Sequence, residues 1–152
     1  MSPWKATRPK DDRGYFERMT TRIFSAGLNW QVVEKKRAGF QKAFSGFMPE
    51  MVARYAEKDV KRLVSDAEIV RNERKIRSTI YNAGEFERVK KEYGSFRNYL
   101  NSFGKRENDL QADLQKRFQH IGRSTARMFL WSVSYPLTPN SEERKWMAKH
   151  PM

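Results

Sequence analysis

The stretch Gln119-His-Ile-Gly-Arg123 is the part of this 152-residue chain that decides its fold. Apolar residues recur at helical spacing on both sides of the stretch, which predicts two amphipathic helices over about 108–118 and 124–134. A glycine-centred link this short between two helices forms a hairpin, and Ser124 is a suitable N-cap for the second helix. The apolar residues are Leu110, Leu114, Phe118 and Ile121 before the glycine, and Ala126, Phe129, Leu130 and Val133 after it.

The charge balance favours a polyanionic partner. The chain has 31 Lys and Arg residues against 18 Asp and Glu residues, a formal net charge of +13. Such an excess attracts nucleic acid or an anionic membrane surface. The apolar runs are far shorter than a membrane-spanning helix, and the N-terminal residues MSPWKATRPK contain no apolar core of a secretory signal. We therefore expect a cytoplasmic, monomeric protein that binds nucleic acid and no membrane.

The residue types present do not support a metal or cofactor site. Cysteine is absent from the chain, which excludes a disulfide framework and a thiolate metal site. Only two histidines, His120 and His150, remain as nitrogen ligands. The sequence also contains no glycine-rich loop of the nucleotide-binding kind. We expect a protein without a metal ion and without a cofactor.

The hairpin is a candidate site for a phosphate oxygen. The first N–H groups of its second helix have no partner within the helix, and the helix dipole attracts an anion to them. Gly122 permits a close approach of the backbone, and Arg123 and Arg127 add positive charge. An ordinary helix–helix turn has the same pattern, and the hairpin alone does not distinguish the two interpretations. The net charge of the chain favours the interpretation as a DNA-contacting hairpin. The DNA-contacting residues predicted here are Gly122, Arg123, Ser124 and Thr125.

The rest of the chain has helical periodicity and no convincing strand pattern. Asn140 and Glu143 have the spacing of a capping box for a last helix over 141–149. We expect one all-α domain over 12–150, preceded by a flexible N-terminus over 1–11 in which Trp4 is one docking point. The other predicted helices span about 12–25, 30–44, 49–57, 59–66 and 72–92, followed by a helical stripe from Phe96 to Phe103.

These segments resemble the DNA-3-methyladenine glycosylase I family, a branch of the helix-hairpin-helix DNA glycosylases, from about residue 15 to residue 135. The resemblance implies an all-α helix-hairpin-helix fold. It also implies an enzyme that turns a damaged base out of the duplex into an aromatic pocket. The matching pieces are Ala26-Gly-Leu-Asn-Trp30, Lys35-Lys-Arg37, Phe44, Phe47, Leu63-Val-Ser-Asp66, Ile69-Val-Arg-Asn72, Lys75-Ile76, Asn82-Ala83, Gly94-Ser-Phe96, Tyr99-Leu100, Lys116-Arg117, Ile121-Gly122 and Thr125.

The same resemblance assigns roles to the segment around Trp30. Gly27 and Leu28 would approach the gap that the extruded base leaves in the DNA, and Lys35, Lys36 and Arg37 would lie near backbone phosphates. Trp30 would stack on the base, in a pocket that Arg22 and Asn29 also border. From the residue pattern alone, Trp30 is more simply a core residue of its own helix.

Three features depart from the family pattern. The cysteines and histidines of the family's zinc site are missing, and so is its N-terminal motif of aromatic residues and histidine. Arg22 occupies the position of the family's pocket glutamate, a carboxylate that would favour a cationic alkylated adenine. A guanidinium group repels a cationic base by the same Coulomb argument. A neutral or differently shaped lesion therefore suits this chain better than 3-methyladenine.

Glu34 is the best local replacement for the missing carboxylate, because it lies one helical turn after Trp30. The alternative is an ion pair between Glu34 and Arg37, and Glu142 and Glu143 fit only the first turn of the last helix.

We expect a monofunctional DNA N-glycosylase of base excision repair that hydrolyses the bond between a damaged, alkylated base and deoxyribose. The runner-up is a non-catalytic damaged-DNA binding protein on the same scaffold, and a basic RNA-associated helical protein is a third reading.

Overall fold

The computed structural model describes residues 6–150, and in this range the chain is helical and contains no β-strand. The predicted all-α fold is confirmed. The helices are α1 Asp12–Ser25, α2 Trp30–Lys35, α3 Arg37–Ala43, α4 Pro49–Val52, α5 Glu57–Val64, α6 Glu73–Tyr93, α7 Phe96–Asn101, α8 Glu107–Arg117, α9 Arg123–Ser132 and α10 Ser141–Lys149, with a short 3-10 turn over Ser45–Phe47. None of them is both long and apolar enough to cross a membrane.

Aromatic rings from α1, α6 and α7 form the centre of the core. Phe16 lies against Phe86 with ring centroids 5.2 Å apart, and Phe86 stacks on Phe96 at 4.5 Å. Phe118, after α8, and Phe129, on α9, both contact Phe96 edge to face. Such offset and edge-to-face contacts add to the free energy gained by burying each ring. The hairpin helices α8 and α9 are thereby fixed to the core of the domain.

Most predicted helices are observed with ends shifted by at most two residues, and three predictions are wrong. The helix predicted over 49–57 ends already at Val52, and a separate helix, α5, begins at Glu57. The predicted helix over 30–44 is divided at Lys36, whose φ of −97° and ψ of 10° leave the helical region. Ser124 is not the N-cap of α9, because the carbonyl of Gly122 already accepts the N–H of Ala126 at 2.9 Å. The first turn of α9 therefore begins at Arg123, one residue earlier, with Gly122 as the N-cap.

Residues 6–11 run beside α1 and reach the end of α9. The Thr7 N–H donates to the Ser132 carbonyl at 3.3 Å, and the guanidinium of Arg97 donates to the Pro9 carbonyl. Asp11 caps α1. At the other end of the chain, the predicted capping box of Asn140 and Glu143 is present at the start of α10. The docking point predicted at Trp4 lies outside the described residues.

Candidate nucleic-acid interface and base-recognition site

The hairpin between α8 and α9 is held by a side chain of α6. Asn82 is only 1% exposed, and its amide makes two hydrogen bonds with the backbone of Gln119. Its Nδ2 donates to the Gln119 carbonyl at 3.1 Å, and its Oδ1 accepts the Gln119 N–H at 2.8 Å. A buried side-chain amide that pairs with both backbone groups of one residue fixes that residue in one conformation. We refer to this pair as the Asn82 clamp.

His120 gives the hairpin a second tie to α6. Its backbone has a positive φ of 60°, and its Nδ1 lies 2.8 Å from the Ser78 hydroxyl oxygen. Partial burial, and then the charges of Arg74 and Lys75, lower the pKa of the His120 imidazole below its ordinary value of 6.5. The ring is therefore neutral at neutral pH, and the positive charge of the hairpin comes from arginine.

The N-terminus of α9 is open to solvent. A Cβ atom added to Gly122 would meet no atom within 4 Å, and the φ of this residue is an ordinary −91°. Neither backbone conformation nor packing within the described part of the chain therefore requires a glycine here. Arg123 and Ser124 are exposed, Thr125 is half-buried, and no described side chain caps the first N–H groups of α9. This arrangement is typical of a site that admits an anion to a helix N-terminus.

Arg127 does not belong to this site, which corrects the expectation that it adds charge to the hairpin. The residue is only 8% exposed, and its Nε and Nη2 donate to the two carboxylate oxygens of Glu143 at 2.9 and 2.6 Å. These hydrogen bonds lower the pKa of Glu143 and connect α10 to α9. Arg127 therefore stabilises the fold, and Glu143 has the helix-start position predicted for it.

The loop between α1 and α2 is exposed over residues 26–29, and we call residues 26–30 the tip. Gly27 has a φ of 78°, in the left-handed region that favours glycine. Leu28 exposes 47% of its surface, and Val32, on the first turn of α2, exposes 41%. An apolar side chain exposed on such a loop is suited to enter a gap between stacked bases.

The base of the tip is anchored by Lys75 of α6. Its Nζ donates to the Ala26 carbonyl at 2.8 Å and to the Phe24 carbonyl at 3.4 Å, two acceptors at the C-terminal end of α1. Burial lowers the pKa of Lys75. On the other side, the Asn29 side chain caps α2 by accepting the Gln31 N–H at 2.9 Å. Asn29 is exposed beside the predicted pocket, and its side-chain oxygen already accepts the hydrogen bond of this cap.

Trp30, Arg22 and Glu34 are the chemically distinctive residues beside the tip. Trp30 is half-buried and lies outside the core cluster. Arg22 is only 4% exposed, and burial, reinforced by Arg18, lowers its pKa to about 10, whereas the nearby charge of Glu34 acts in the opposite direction. The Oε2 atom of Glu34 is itself buried and has no hydrogen-bonding partner among the described residues. A buried carboxylate oxygen in that state is costly unless a ligand or water satisfies it.

The three cations after the tip have different surroundings. Lys35 is exposed, whereas Lys36 donates to a backbone carbonyl at 2.9 Å. Arg37 pairs with Glu17 of α1 at 3.2 Å while half of its side chain stays exposed. The alternative in which Glu34 pairs with Arg37 is therefore wrong. The break at Lys36 ends α2 and removes the helical spacing on which that alternative depended.

Two residues make contacts at the candidate site that the sequence pattern did not indicate. Asn82 and Lys75 belong to the matched pieces, but their clamp and anchor contacts join positions 37 and 49 residues apart. The sequence feature that could have indicated the role of Asn82 is its position, a side-chain amide on the apolar face of α6 between Thr79 and Phe86. A polar residue at such a position is usually held by a specific hydrogen bond.

The zinc site that the family resemblance implies does not fit the residues of this chain. Cysteine is absent from the whole sequence. Over residues 6–150, no group of three or more His, Asp or Glu side chains is placed to hold a metal ion. The two histidines lie on separate elements, His120 in the hairpin and His150 after α10. No step of the chemistry below depends on a metal.

The architecture is that of a helix-hairpin-helix DNA glycosylase-like helical domain. A family model described as methyladenine glycosylase matches residues 2–129, and the chain belongs to that family. DNA-3-methyladenine glycosylase 1 of Escherichia coli (strain K12) is 37% identical over 93 residues, which are 61% of this chain and 50% of the relative. DNA-3-methyladenine glycosylase of Haemophilus influenzae is 27% identical with the same coverage. The chain thus spans about half the length of the curated relatives it matches.

Solved structures agree with this assignment. A crystal structure of 3-methyladenine DNA glycosylase I has a TM-score of 0.77 at 26% identity, covering 85% of this chain and 82% of the other. The 3-methyladenine DNA glycosylase I of Staphylococcus aureus has a TM-score of 0.79 at 24% identity, covering 88% and 81%, a likeness of fold alone. The family resemblance predicted from the sequence is confirmed.

Proposed function

We propose that this chain is a DNA N-glycosylase that extracts a damaged base from duplex DNA and hydrolyses its bond to deoxyribose. The observation that supports this most directly is the tip, where a half-buried Trp30 lies one helical turn from Glu34, whose buried oxygen has no hydrogen-bonding partner among the described residues. Membership of the methyladenine glycosylase family supports the reaction class. The proposed partner is duplex DNA, bound by a monomer in the cytoplasm.

Binding divides between the two regions. Gly122 and Arg123 at the start of α9 would receive a backbone phosphate, which holds the duplex without reading its sequence. Leu28 would occupy the space of the extruded nucleotide, and Trp30 would stack on the base. Extraction costs a few kcal/mol, and stacking on an aromatic side chain returns roughly 1–3 kcal/mol. The remainder of the cost is offset by the phosphate contacts that the net charge of +13 makes favourable.

The chemistry is a hydrolysis in which Glu34 handles the proton. A water oxygen forms a bond to C1′ as the bond from C1′ to the base nitrogen breaks. The electron pair of the broken C1′–N bond leaves with the base. The water proton passes to the Glu34 carboxylate and then to the departing base, so charge and atoms balance. The Nζ atom of Lys75 donates hydrogen bonds to the Ala26 and Phe24 carbonyls. Because the amine is held there, it is unsuited to attack C1′ and form a Schiff base. The proposed enzyme is therefore monofunctional.

The charge of Arg22 selects among lesions. Two positive charges about 4 Å apart repel by roughly 4 kcal/mol at an effective dielectric constant near 20. This repulsion exceeds the roughly 1–3 kcal/mol that stacking on Trp30 returns. A cationic alkylated adenine would therefore bind poorly beside Arg22, which is 96% buried. A neutral damaged base does not incur this cost.

The test is base release from a panel of duplexes that carry neutral or cationic damaged purines. We expect wild type to release a neutral base and Glu34→Gln to lose that release, because an amide cannot accept the water proton. Glu17→Gln is the matched control, since Glu17 pairs with Arg37 on α1. Release by Glu34→Gln at the wild-type rate would remove Glu34 from the mechanism. No release from any duplex, with Trp30-dependent binding intact, would favour the alternative of a non-catalytic damaged-DNA binding protein.

A further inference from the structure

The start of α6 contacts both the tip and the hairpin. Lys75 reaches the base of the tip, where its Nζ donates to the Ala26 carbonyl at 2.8 Å. Ser78 reaches the hairpin, because its hydroxyl oxygen lies 2.8 Å from the Nδ1 of His120. The three residues that separate them span roughly 4.5 Å of an α-helix. The two regions proposed to contact DNA are therefore held by neighbouring turns of one helix.

Arg74 is a cation in the first turn of α6 that the fold does not use. The residue is exposed, and its side chain makes no hydrogen bond or ion pair with the part of the chain that the structure describes. Arg77, by contrast, donates to Glu73 at 2.9 Å and to Glu57 at 2.7 Å. A positive charge in the first turn of a helix also opposes the helix dipole. The stability of α6 therefore does not account for an arginine at position 74.

Arg74 lies on the side of α6 that meets the hairpin. It precedes Ser78 by four residues, and residues at this spacing are neighbours on one helical face, with Cβ atoms about 5–6 Å apart. The Ser78 hydroxyl contacts the imidazole of His120. The charge of Arg74 also reaches that ring, whose pKa it helps to lower after partial burial. The guanidinium of Arg74 is thus exposed beside the hairpin, one residue before the lysine that anchors the tip.

We propose that Arg74 binds a DNA backbone phosphate between the phosphate received by the hairpin and the nucleotide displaced by the tip. This inference rests on the DNA partner proposed above. Each strand of a duplex presents one phosphate per roughly 3.4 Å of helix axis. A strand that contacts both the hairpin and the tip therefore also presents phosphate to the start of α6. The planar fork of arginine can donate two parallel N–H groups to one phosphate, and such a contact is the same for every sequence.

The experiment measures the slope of log K against log salt concentration for an undamaged duplex, which requires neither a lesion nor catalysis. Loss of one phosphate contact makes this slope shallower by roughly 0.9. We expect Arg74→Ala to show that change, with an affinity lower by roughly twofold to fivefold, the usual range for one exposed ion pair. Arg74→Lys retains the charge and should keep the wild-type slope.

Lys91→Ala is the matched control, because it removes the same charge from an exposed position on the same helix. The two positions lie about 25 Å apart along α6, and we expect the control to keep the wild-type slope. Arg74→Ala should melt no lower than wild type, since the side chain has no partner among the described residues. A change in its binding is therefore not a consequence of unfolding.

The outcomes separate this inference from the proposed function. A wild-type slope near zero contradicts DNA as the partner, and this inference with it. A steep wild-type slope that Arg74→Ala leaves unchanged overturns the role of Arg74 alone. Equal changes in Arg74→Ala and Lys91→Ala also overturn it, because net charge and not a contact at position 74 would then be responsible. Failure of wild type to release any base contradicts the glycosylase function and leaves the phosphate contact of Arg74 intact.

Discussion

The hairpin and the tip differ in how firmly the domain holds them. The hairpin is tied to α6 twice, by the Asn82 clamp and by the contact of His120 with Ser78. The tip is anchored at its base by Lys75 of α6, and its apex residues Gly27 and Leu28 are exposed. A rigid loop with an open helix N-terminus suits a contact that every duplex shares. An exposed loop beside the distinctive side chains of Arg22, Trp30 and Glu34 suits the choice of one base.

The largest expected effect concerns the hairpin, the region proposed to contact every duplex. If about six phosphates are neutralised, the slope of log K against log salt concentration is roughly −5, and affinity falls about a thousandfold between 50 and 200 mM salt. The ratio of affinities for damaged and undamaged DNA should change far less, because stacking on Trp30 releases no counterions. Titrations of both duplexes over this range measure the two quantities. A nearly flat salt dependence would remove nucleic acid as the main partner.

Gly122→Asp should break the hairpin contact selectively. The substitution places a carboxylate where a phosphate is expected, and no described atom within 4 Å of the added Cβ prevents folding. We expect binding to weaken by about 10- to 100-fold for damaged and undamaged duplexes alike, the cost of turning one charge contact into a repulsive one.

Gly104→Asp is the matched control for this substitution, because the charge change is the same and the space around Gly104 is also open. Gly104 precedes α8, whereas the hairpin follows it. The 11 residues of α8 separate the two sites by about 16 Å. The positive φ of Gly104, 56°, strains any side chain, and aspartate is among the residues that adopt it most often, so the melting temperature of this variant is measured as well. Equal loss in both variants would show that net charge, and not the hairpin, determines the result.

Trp30→Ala should affect the tip and leave the hairpin unchanged. Loss of the stacking surface is expected to weaken binding to a duplex with a damaged base about tenfold, within the usual contribution of an aromatic platform. Affinity for undamaged duplex should remain that of wild type. Trp146→Ala on α10 is the control, since Trp146 is also partly exposed, at 37%. A loss of affinity for both duplexes would indicate that Trp30 supports the fold instead.

The smallest expected effect is a pH dependence of the hairpin. The pKa of His120 is lowered in the folded protein, so the unfolded chain takes up a proton first as the pH falls below about 6.5. The free energy of unfolding is therefore highest above that pH and decreases as the pH falls toward the folded pKa. His120→Gln should remove this part of the decrease in melting temperature, and His150→Gln should not. Identical pH profiles for all three proteins would exclude His120 as the titrating group.

Local signals in the sequence predicted much of the fold. Apolar periodicity, Gly122 and the Asn140–Glu143 capping box predicted the all-α class, the hairpin and the last helix because each acts within a few residues. The inward turn of Arg127 could not be predicted, because its partner Glu143 is 16 residues away on another helix. The replacement at position 22 was visible by comparison with the family pattern. The burial of Arg22 gives the replacement its chemical consequence. That burial could be known only from the packing of α1 in the folded protein.

The Asn82 clamp also determines how far the hairpin can act as a module. The Gln119 backbone obtains its two partners from a helix 37 positions earlier in the chain. A fragment containing only residues 107–132 would keep both helices of the hairpin and lose the side chain that shapes the loop between them. During folding, the loop can reach its final form only after α6 has docked, which is a long-range event with a large loop-closure cost. Transplanting the hairpin into another protein would therefore require moving α6 with it.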